Sequence, residues 1–305
     1  MSRVAIALAI SFVTVVSGEQ QRALPSIRET HASLPGVRLF YRDTGGSGQA
    51  VVFMHPATGT SQIWENQLTA FARAGYRAIA IDRRGWGRTE IDPAGPQPGT
   101  AADDLLALMN QLGIQQFHLV GSAAGGFVAF DVALSYPERL RSLVVANSIG
   151  GVQDEEFVKL GTALRPAEFL AMPAHLRELS PNYRAADPEG TRRWLDIERG
   201  SRSGGAGSTQ APAGRADAAR GATATPAAAQ PLKNRLTFAA LEKIARPALL
   251  LTGGADMYAP PPVTRMFVQH IKGAEFVVIP DAGHATSWEQ PDAFNRTVLT
   301  FLKKH

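Results

Sequence analysis

Residues 118–127 read HLVGSAAGGF. An apolar run leads into Gly121-Ser122-Ala123-Ala124-Gly125. Small residues two before and two after an apex are what a sharp strand-to-helix turn requires, because the turn is strained and its flanking backbones pass close. Ala123 satisfies that spacing as the apex. With Ser122 there, the flanking residues would be Val120 and Ala124, and Val120 is a poor fit. Such a turn usually presents a nucleophile, but Ala123 offers only a methyl group.

Outward from this turn the chain alternates strand and helix patterns. Phe117–Gly121 predicts a strand and Ala124–Ser135 a helix. Upstream, Ile27–Ser33 and Val37–Asp43 predict strands joined by a Pro35-Gly36 turn. AVVFMH at Ala50–His55 reads as a strand buried on both faces. Gln62–Ala74 has helical apolar spacing, Tyr76–Asp82 predicts a strand, and Thr100–Leu112 predicts a helix with Asp103 and Asp104 near its positive end. Downstream, strands are predicted at Arg141–Asn147, Ala248–Thr252 and Glu275–Ile279, and helices at Pro261–Ile271 and Glu289–Lys303. This alternation predicts an α/β fold with right-handed crossovers and a mostly parallel sheet flanked by helices.

Residues 152–200 hold only helical patterns, cut short by prolines at 166, 173, 181 and 188. Residues 201–231 contain no Val, Leu, Ile, Met or aromatic residue, and cannot bury enough apolar area to offset ordering entropy. A flexible Ala/Gly-rich loop is expected there. The expected organisation is a core of residues 19–151 and 236–305, with 152–235 inserted as a helical lid.

Composition excludes several classes. The 305 residues are 45% hydrophobic and 19% charged, and the net charge of +4 is dispersed. No basic run with interleaved aromatics makes a case for nucleic acid. Cysteine is absent, which excludes disulfides, cysteine nucleophiles and thiolate metal sites. His31, His118, His175 and His270 have no ligand-like spacing, and Gly121–Gly126 lacks the lysine of a phosphate loop. No metal or cofactor is expected. The N-terminus, MSRVAIALAISFVTVVSGEQQ, has one early Arg3, an apolar stretch from Val4 to Val16, and small residues at Ser17-Gly18. That is the layout of a signal peptide over 1–18, and predicts a secreted or periplasmic protein. If the segment is not a signal, the protein is cytoplasmic. Its apolar run is short for a stable membrane span.

Two more segments end on residues that carry chemistry. LLLTGGADMYAPP supplies Asp256, and VVIPDAGHATSWEQP supplies His284. A carboxylate beside an imidazole fixes its tautomer and supports its positive charge, leaving the other ring nitrogen free as a base. Their order after the turn is the one expected for a nucleophile, acid and histidine. Asn147, at the end of a predicted strand, cannot be a carboxylate.

With MHPATG at 54–59, DRRGWGRT at 82–89, VGSAAGG at 120–126 and GGAD…GH over 253–284, the chain resembles the α/β-hydrolase superfamily. The likeness is to its group of small esterases, lactonases, C–C hydrolases and epoxide-hydrolase-like proteins. It covers residues 27–305 apart from 201–231. The resemblance implies an α/β-hydrolase fold with a helical lid, Asp256 and His284 as a catalytic pair, and Ala123 at the nucleophile position. It also implies an oxyanion hole built from the backbone N–H groups of Ala124 and Ala57, since Pro56 has none. His55, Ser122, Trp86 and Trp288 are expected around the substrate, with His55 also bracing the oxyanion loop. Trp64 and Trp194 compete for pocket positions, and plain packing is the alternative for every tryptophan.

Removing the nucleophile of a working triad costs on the order of 10⁶ in turnover. A standard acyl-enzyme route is therefore closed to this sequence, and three readings stand. In the first, His284 set by Asp256 acts as a general base on a small, uncharged carbonyl compound, an ester, lactone or relative of these, with no covalent intermediate. In the second, a serine ester or lactone hydrolase has been inactivated by Ser→Ala at 123. In the third, the fold is a non-catalytic small-molecule binder. Leu164, Phe169, Leu170, Met172, Leu176 and Trp194 suggest an apolar pocket mouth.

Overall fold

The computed structural model describes residues 26–92, 94–95, 99–201 and 231–305. The expected signal segment and nearly all of the 201–231 loop lie outside the described residues.

The chain opens with β1 (Arg28–Leu34) and β2 (Val37–Asp43), an antiparallel hairpin turned at Gly36, whose φ is 68°. Then follow β3 (Ala50–Met54), α1 (Glu65–Arg73), β4 (Arg77–Ile81), the short β5 (Glu90–Ile91), α2 (Ala101–Gln111), β6 (Phe117–Ser122), α3 (Ala124–Ser135) and β7 (Leu140–Ala146). Next come five helices: α4 (Glu155–Leu164), α5 (Ala167–Ala171), α6 (Ala174–Glu178), α7 (Pro181–Ala186) and α8 (Pro188–Gly200). The core resumes with α9 (Phe238–Leu241), β8 (Ala248–Gly253), α10 (Pro261–Gln269), β9 (Glu275–Ile279), α11 (Thr286–Glu289) and α12 (Pro291–Leu302).

The sheet runs β1-β2-β4-β3-β6-β7-β8-β9, with β5 paired to β2. Pairings from β4 through β9 along that path are parallel, and those of β2 with β1, β4 and β5 are antiparallel. This is the α/β-hydrolase fold, mostly parallel and flanked by helices. Alternation in the strands explains both faces. Ala50, Val52 and Met54 of β3 enter one apolar cluster with Leu105 of α2, Phe130 of α3 and Phe267 of α10. Val51 and Phe53 enter the other, with Leu68 of α1 and Phe294 of α12. A strand buried on both faces reads as a continuous apolar run, which is why AVVFM was legible.

Many element ends differ from the sequence reading by a residue or two, and two larger differences have a local reason. The helix predicted over Gln62–Ala74 begins as a 3₁₀ turn at Ser61–Trp64, where Thr60 Oγ1 accepts the N–H of Gln62. The helix predicted over Glu289–Lys303 is two helices, because Pro291 disfavours helical backbone at Gln290, which sits at φ −131° and ψ 64°. The strand at Tyr76–Asp82 is shorter, Arg77–Ile81. The prolines of the insertion fall at helix starts: Pro166 and Pro173 precede α5 and α6, and Pro181 and Pro188 open α7 and α8. Proline is tolerated there because the first-turn N–H has no intrahelical partner. Trp194 of α8 is 1% exposed in the same cluster as Trp64 and Phe294, so α8 is seated on that face, while Phe157 of α4 enters the other cluster. Among the described residues no helix is long and apolar enough to cross a membrane.

Candidate active site

The turn after β6 is built around Ala123, whose backbone sits at φ 48° and ψ −113°. A Cβ on Gly121 would run into the carbonyl of Gly125, and one on Gly125 into the carbonyl of Met54. Both flanks therefore exclude any side chain. The apex is pinned on three sides. Ala123 N–H donates to the Ala146 carbonyl at 2.9 Å, and its own carbonyl accepts Gly126 N–H at 2.9 Å and the Ser148 hydroxyl at 2.7 Å.

Asp256 and His284 lie past the ends of β8 and β9, which are adjacent in the sheet. His284 Nδ1 is 2.9 and 3.0 Å from the two Asp256 oxygens. Asp256 is buried, and Oδ1 also accepts the backbone N–H groups of Tyr258 (2.8 Å) and Ala259 (2.9 Å). Its Oδ2 accepts Asn147 Nδ2 (3.0 Å) and the Thr252 hydroxyl (3.1 Å). Burial alone would raise the Asp256 pKa, but the facing imidazole and these donors hold it below the ordinary value. Burial likewise works against a charged His284, yet the carboxylates of Asp256 and Glu178 raise its pKa above the ordinary value. An acidic residue with this many donors is a fixed counter-charge, and with Nδ1 turned to Asp256 the ring has Nε2 left to take or give a proton.

Further residues complete the surroundings, and the sequence reading did not assign them. Asn147 takes φ 51° and links Asp256 to the Gly283 carbonyl (3.2 Å), tying the β7 end to the histidine loop. Its position at a strand's carboxyl end was the available signal. The ring of Tyr258 lies 4.5 Å from that of His284, with Arg165 Nη1 on the Tyr258 carbonyl (2.9 Å) and Arg177 Nη1 on its hydroxyl (2.5 Å). The Glu178 carbonyl accepts His284 N–H (2.7 Å), so the end of α6 is stitched to the histidine loop. Glu289 strengthens that seam, its carboxylate accepting the N–H groups of Ser180 and Gly283.

The expected oxyanion donors sit at the carboxyl ends of β3 and β6. Ala124 opens α3, and its N–H is one of the first-turn donors that a helix leaves unsatisfied. Ala57 lies in the loop after β3 and is half-buried, and its carbonyl accepts the Trp86 indole N–H at 2.9 Å. His55 is fully buried. Its Nδ1 donates to the Pro56 carbonyl (2.7 Å) and its Nε2 accepts Arg83 N–H (3.1 Å). Burial, then the Arg83 charge, push its pKa well below the ordinary value, so the ring is neutral. Both ring nitrogens are spent inside the protein, where the sequence leads one to expect a substrate contact. His55 braces the loop. Ser122 ends β6 and is 5% exposed. Trp86 is half-buried beside the loop, its ring 6.0 Å from that of His55. Trp288 is 4% exposed within the apolar cluster, its N–H donating to the Gly190 carbonyl at 3.3 Å and Arg193 lying 5.4 Å over its ring. It faces α8, an arrangement of packing.

Comparison with known proteins agrees with the fold. The profile of the alpha/beta hydrolase family matches residues 51–297. A 2-hydroxy-6-oxononadienedioate/2-hydroxy-6-oxononatrienedioate hydrolase of Burkholderia vietnamiensis is 32% identical over 282 residues, covering 88% of this chain and 92% of that protein. The crystal structure of the enol-lactonase from Burkholderia xenovorans LB400 superposes with a TM-score of 0.68 at 24% identity, covering 90% of this chain and 99% of that one. The malate-bound structure of a thermophilic esterase from Thermogutta terrifontis gives a TM-score of 0.67 at 26% identity, covering 92% and 98%.

Proposed function

Because the chain belongs to the alpha/beta hydrolase family, we propose that it acts on a small carbonyl compound through the His284–Asp256 pair, without a side-chain nucleophile. One observation carries this reading: His284 Nδ1 is held by Asp256 at 2.9 Å while the elbow apex beside the site carries only the methyl of Ala123. The imidazole, fixed in the tautomer that leaves Nε2 as acceptor, takes a proton from water or from an acidic position of the substrate. The N–H groups of Ala57 and Ala124 hold the oxygen on which negative charge develops. Helices α4–α8 act as the lid over this chemistry. The relative from Burkholderia vietnamiensis is a hydrolase of an oxo-substituted dienedioate, a ketone-bearing substrate in keeping with this class.

The test is hydrolysis of short aryl esters, lactones and vinylogous ketones by the wild-type protein and His284→Ala. General-base catalysis contributes roughly 10²–10⁴, so His284→Ala should lose about that factor while binding is retained. Equal activity in both proteins would remove the proposal.

The strained apex favours a second reading. A non-glycine residue at φ 48° is uncommon, and the conformation serves presentation of a side chain that Ala123 lacks. On this reading the scaffold is a serine hydrolase with its hydroxyl removed, and Ala123→Ser gains turnover on aryl esters by several orders of magnitude.

A further inference from the structure

We propose that Arg83 anchors a carboxylate of the substrate, beside the candidate oxyanion loop. The proposal rests on the carbonyl-substrate reading above and narrows it from an uncharged compound, the class the sequence alone suggests, to a carbonyl compound that also bears a carboxylate.

Arg83 lies two residues past β4, at the same carboxyl end of the sheet as His55 and the elbow. It is 8% exposed, and its Nε and Nη2 are buried with no hydrogen-bond partner among the described residues. Nearby arginines behave differently. Arg84 pairs with Asp104 at 2.7 Å and donates to the carbonyls of Pro35 and Gly36, and Arg77 pairs with Asp43 at 2.6 Å. The adjacent carboxylate, Asp82, is committed elsewhere: Oδ1 accepts Ser61 N–H (2.6 Å) and Oδ2 accepts Arg88 N–H (2.8 Å). Burial pushes the Arg83 pKa down to about 10, which leaves it charged at neutral pH.

A buried cation with no counter-charge among the described residues costs stability, and the contact of its guanidinium with the Trp86 ring, 4.4 Å away, offsets only part of that. The same contact aims it. Trp86 is fixed by its N–H on the Ala57 carbonyl, and Arg83's own N–H is fixed on His55 Nε2. Both the backbone and the stacking partner of the guanidinium are thus tied to residues 55–57, the loop that carries one oxyanion donor. A planar guanidinium with free N–H groups matches a carboxylate in a two-point contact. A substrate carboxylate there supplies the missing charge and sets the distance from its anchor to the reacting carbonyl.

The test needs no turnover, so it can fail while the activity tests succeed, or the reverse. Binding of 4-oxopentanoate and 6-oxoheptanoate is compared with that of their neutral amides, by calorimetry and by tryptophan fluorescence. The wild-type protein should bind at least one acid about tenfold or more tightly than its amide, the order expected of charge-assisted hydrogen bonds. Arg83→Met should bring acid and amide within about twofold and raise Tm by a few degrees, since it removes an unpaired buried charge. Arg83→Lys should keep part of the preference, because it retains the charge without the fork. If Arg83→Met does not fold, Arg83→Lys decides, and an undiminished preference there overturns the proposal. So does an acid preference surviving in Arg83→Met, or a wild-type protein that binds neither acid or does not distinguish either from its amide.

Discussion

Ala123 holds its backbone at φ 48° and ψ −113° without the freedom of glycine, an arrangement that costs on the order of 1–3 kcal/mol. The bonds of its peptide groups to Ala146, Gly126 and Ser148 keep it there. Twenty-eight positions beyond Asp256, His284 shows how one pair links proton affinity to folding. Its pKa is raised, so its contribution to stability is fully present below the ordinary value of 6.5 and is lost as pH rises through the folded value. That of Asp256 is lowered, so its contribution is present above 3.8 and is lost as pH falls through the folded value. The pair stabilises most between these limits. On the proposed reading of His284 as a base, activity should rise as pH rises through its folded pKa. Asp256→Asn should lower the His284 titration midpoint, measured by NMR of the imidazole protons. An unmoved midpoint would mean that Asp256 does not set the charge of the ring. Asp256, His284 and the glycine spacing were legible because each belongs to a short local pattern. Asn147 and Tyr258 were not, because their contacts with the pair exist only once three strand ends meet.

At the scale of elements, the chain must return from its insertion to the core, and one buried carboxylate receives it. Asp131 of α3 is fully buried and accepts the N–H groups of Lys233 and Asn234, both at 2.9 Å, as well as Asn234 Nδ2 at 2.8 Å. Hydrogen bonds to a charged group are worth about 1.5–3 kcal/mol each, and orphaned donors add a penalty. Asp131→Ala should therefore destabilise the protein by about 3 kcal/mol or more in urea unfolding, with faster amide exchange concentrated at 232–236. Unchanged exchange there would show that Leu236, buried in the core, anchors the return by itself. Element types were largely readable from periodicity and proline positions. Their ends were less so: the split between α11 and α12 and the 3₁₀ entry into α1 turn on single residues, Pro291 and Thr60.

Across the whole molecule, one sheet serves two apolar faces, and alternate residues of β3, β7 and β8 feed both. Trp64, Trp194 and Trp288 all lie in the α1/α12-side cluster, while Trp86 stands at the candidate site. Opening one face removes support from strands that also carry the other. Urea transitions followed by tryptophan fluorescence and by far-UV circular dichroism should therefore coincide. A fluorescence midpoint at lower urea would mean that the face holding α8 opens on its own. The sequence by itself determined the order of strands and helices, the glycine-flanked elbow with its bare apex, and the identity of the acid–histidine pair. Those features are written in periodicity and in short spacings that hold before any long-range contact forms. Only the tertiary structure decided that both His55 nitrogens are spent, that Trp288 packs against α8, and that Arg83 is left without a counter-charge among the described residues. Each of these depends on burial and on which distant groups come within hydrogen-bond reach, and side-chain identity along a chain does not encode those distances locally.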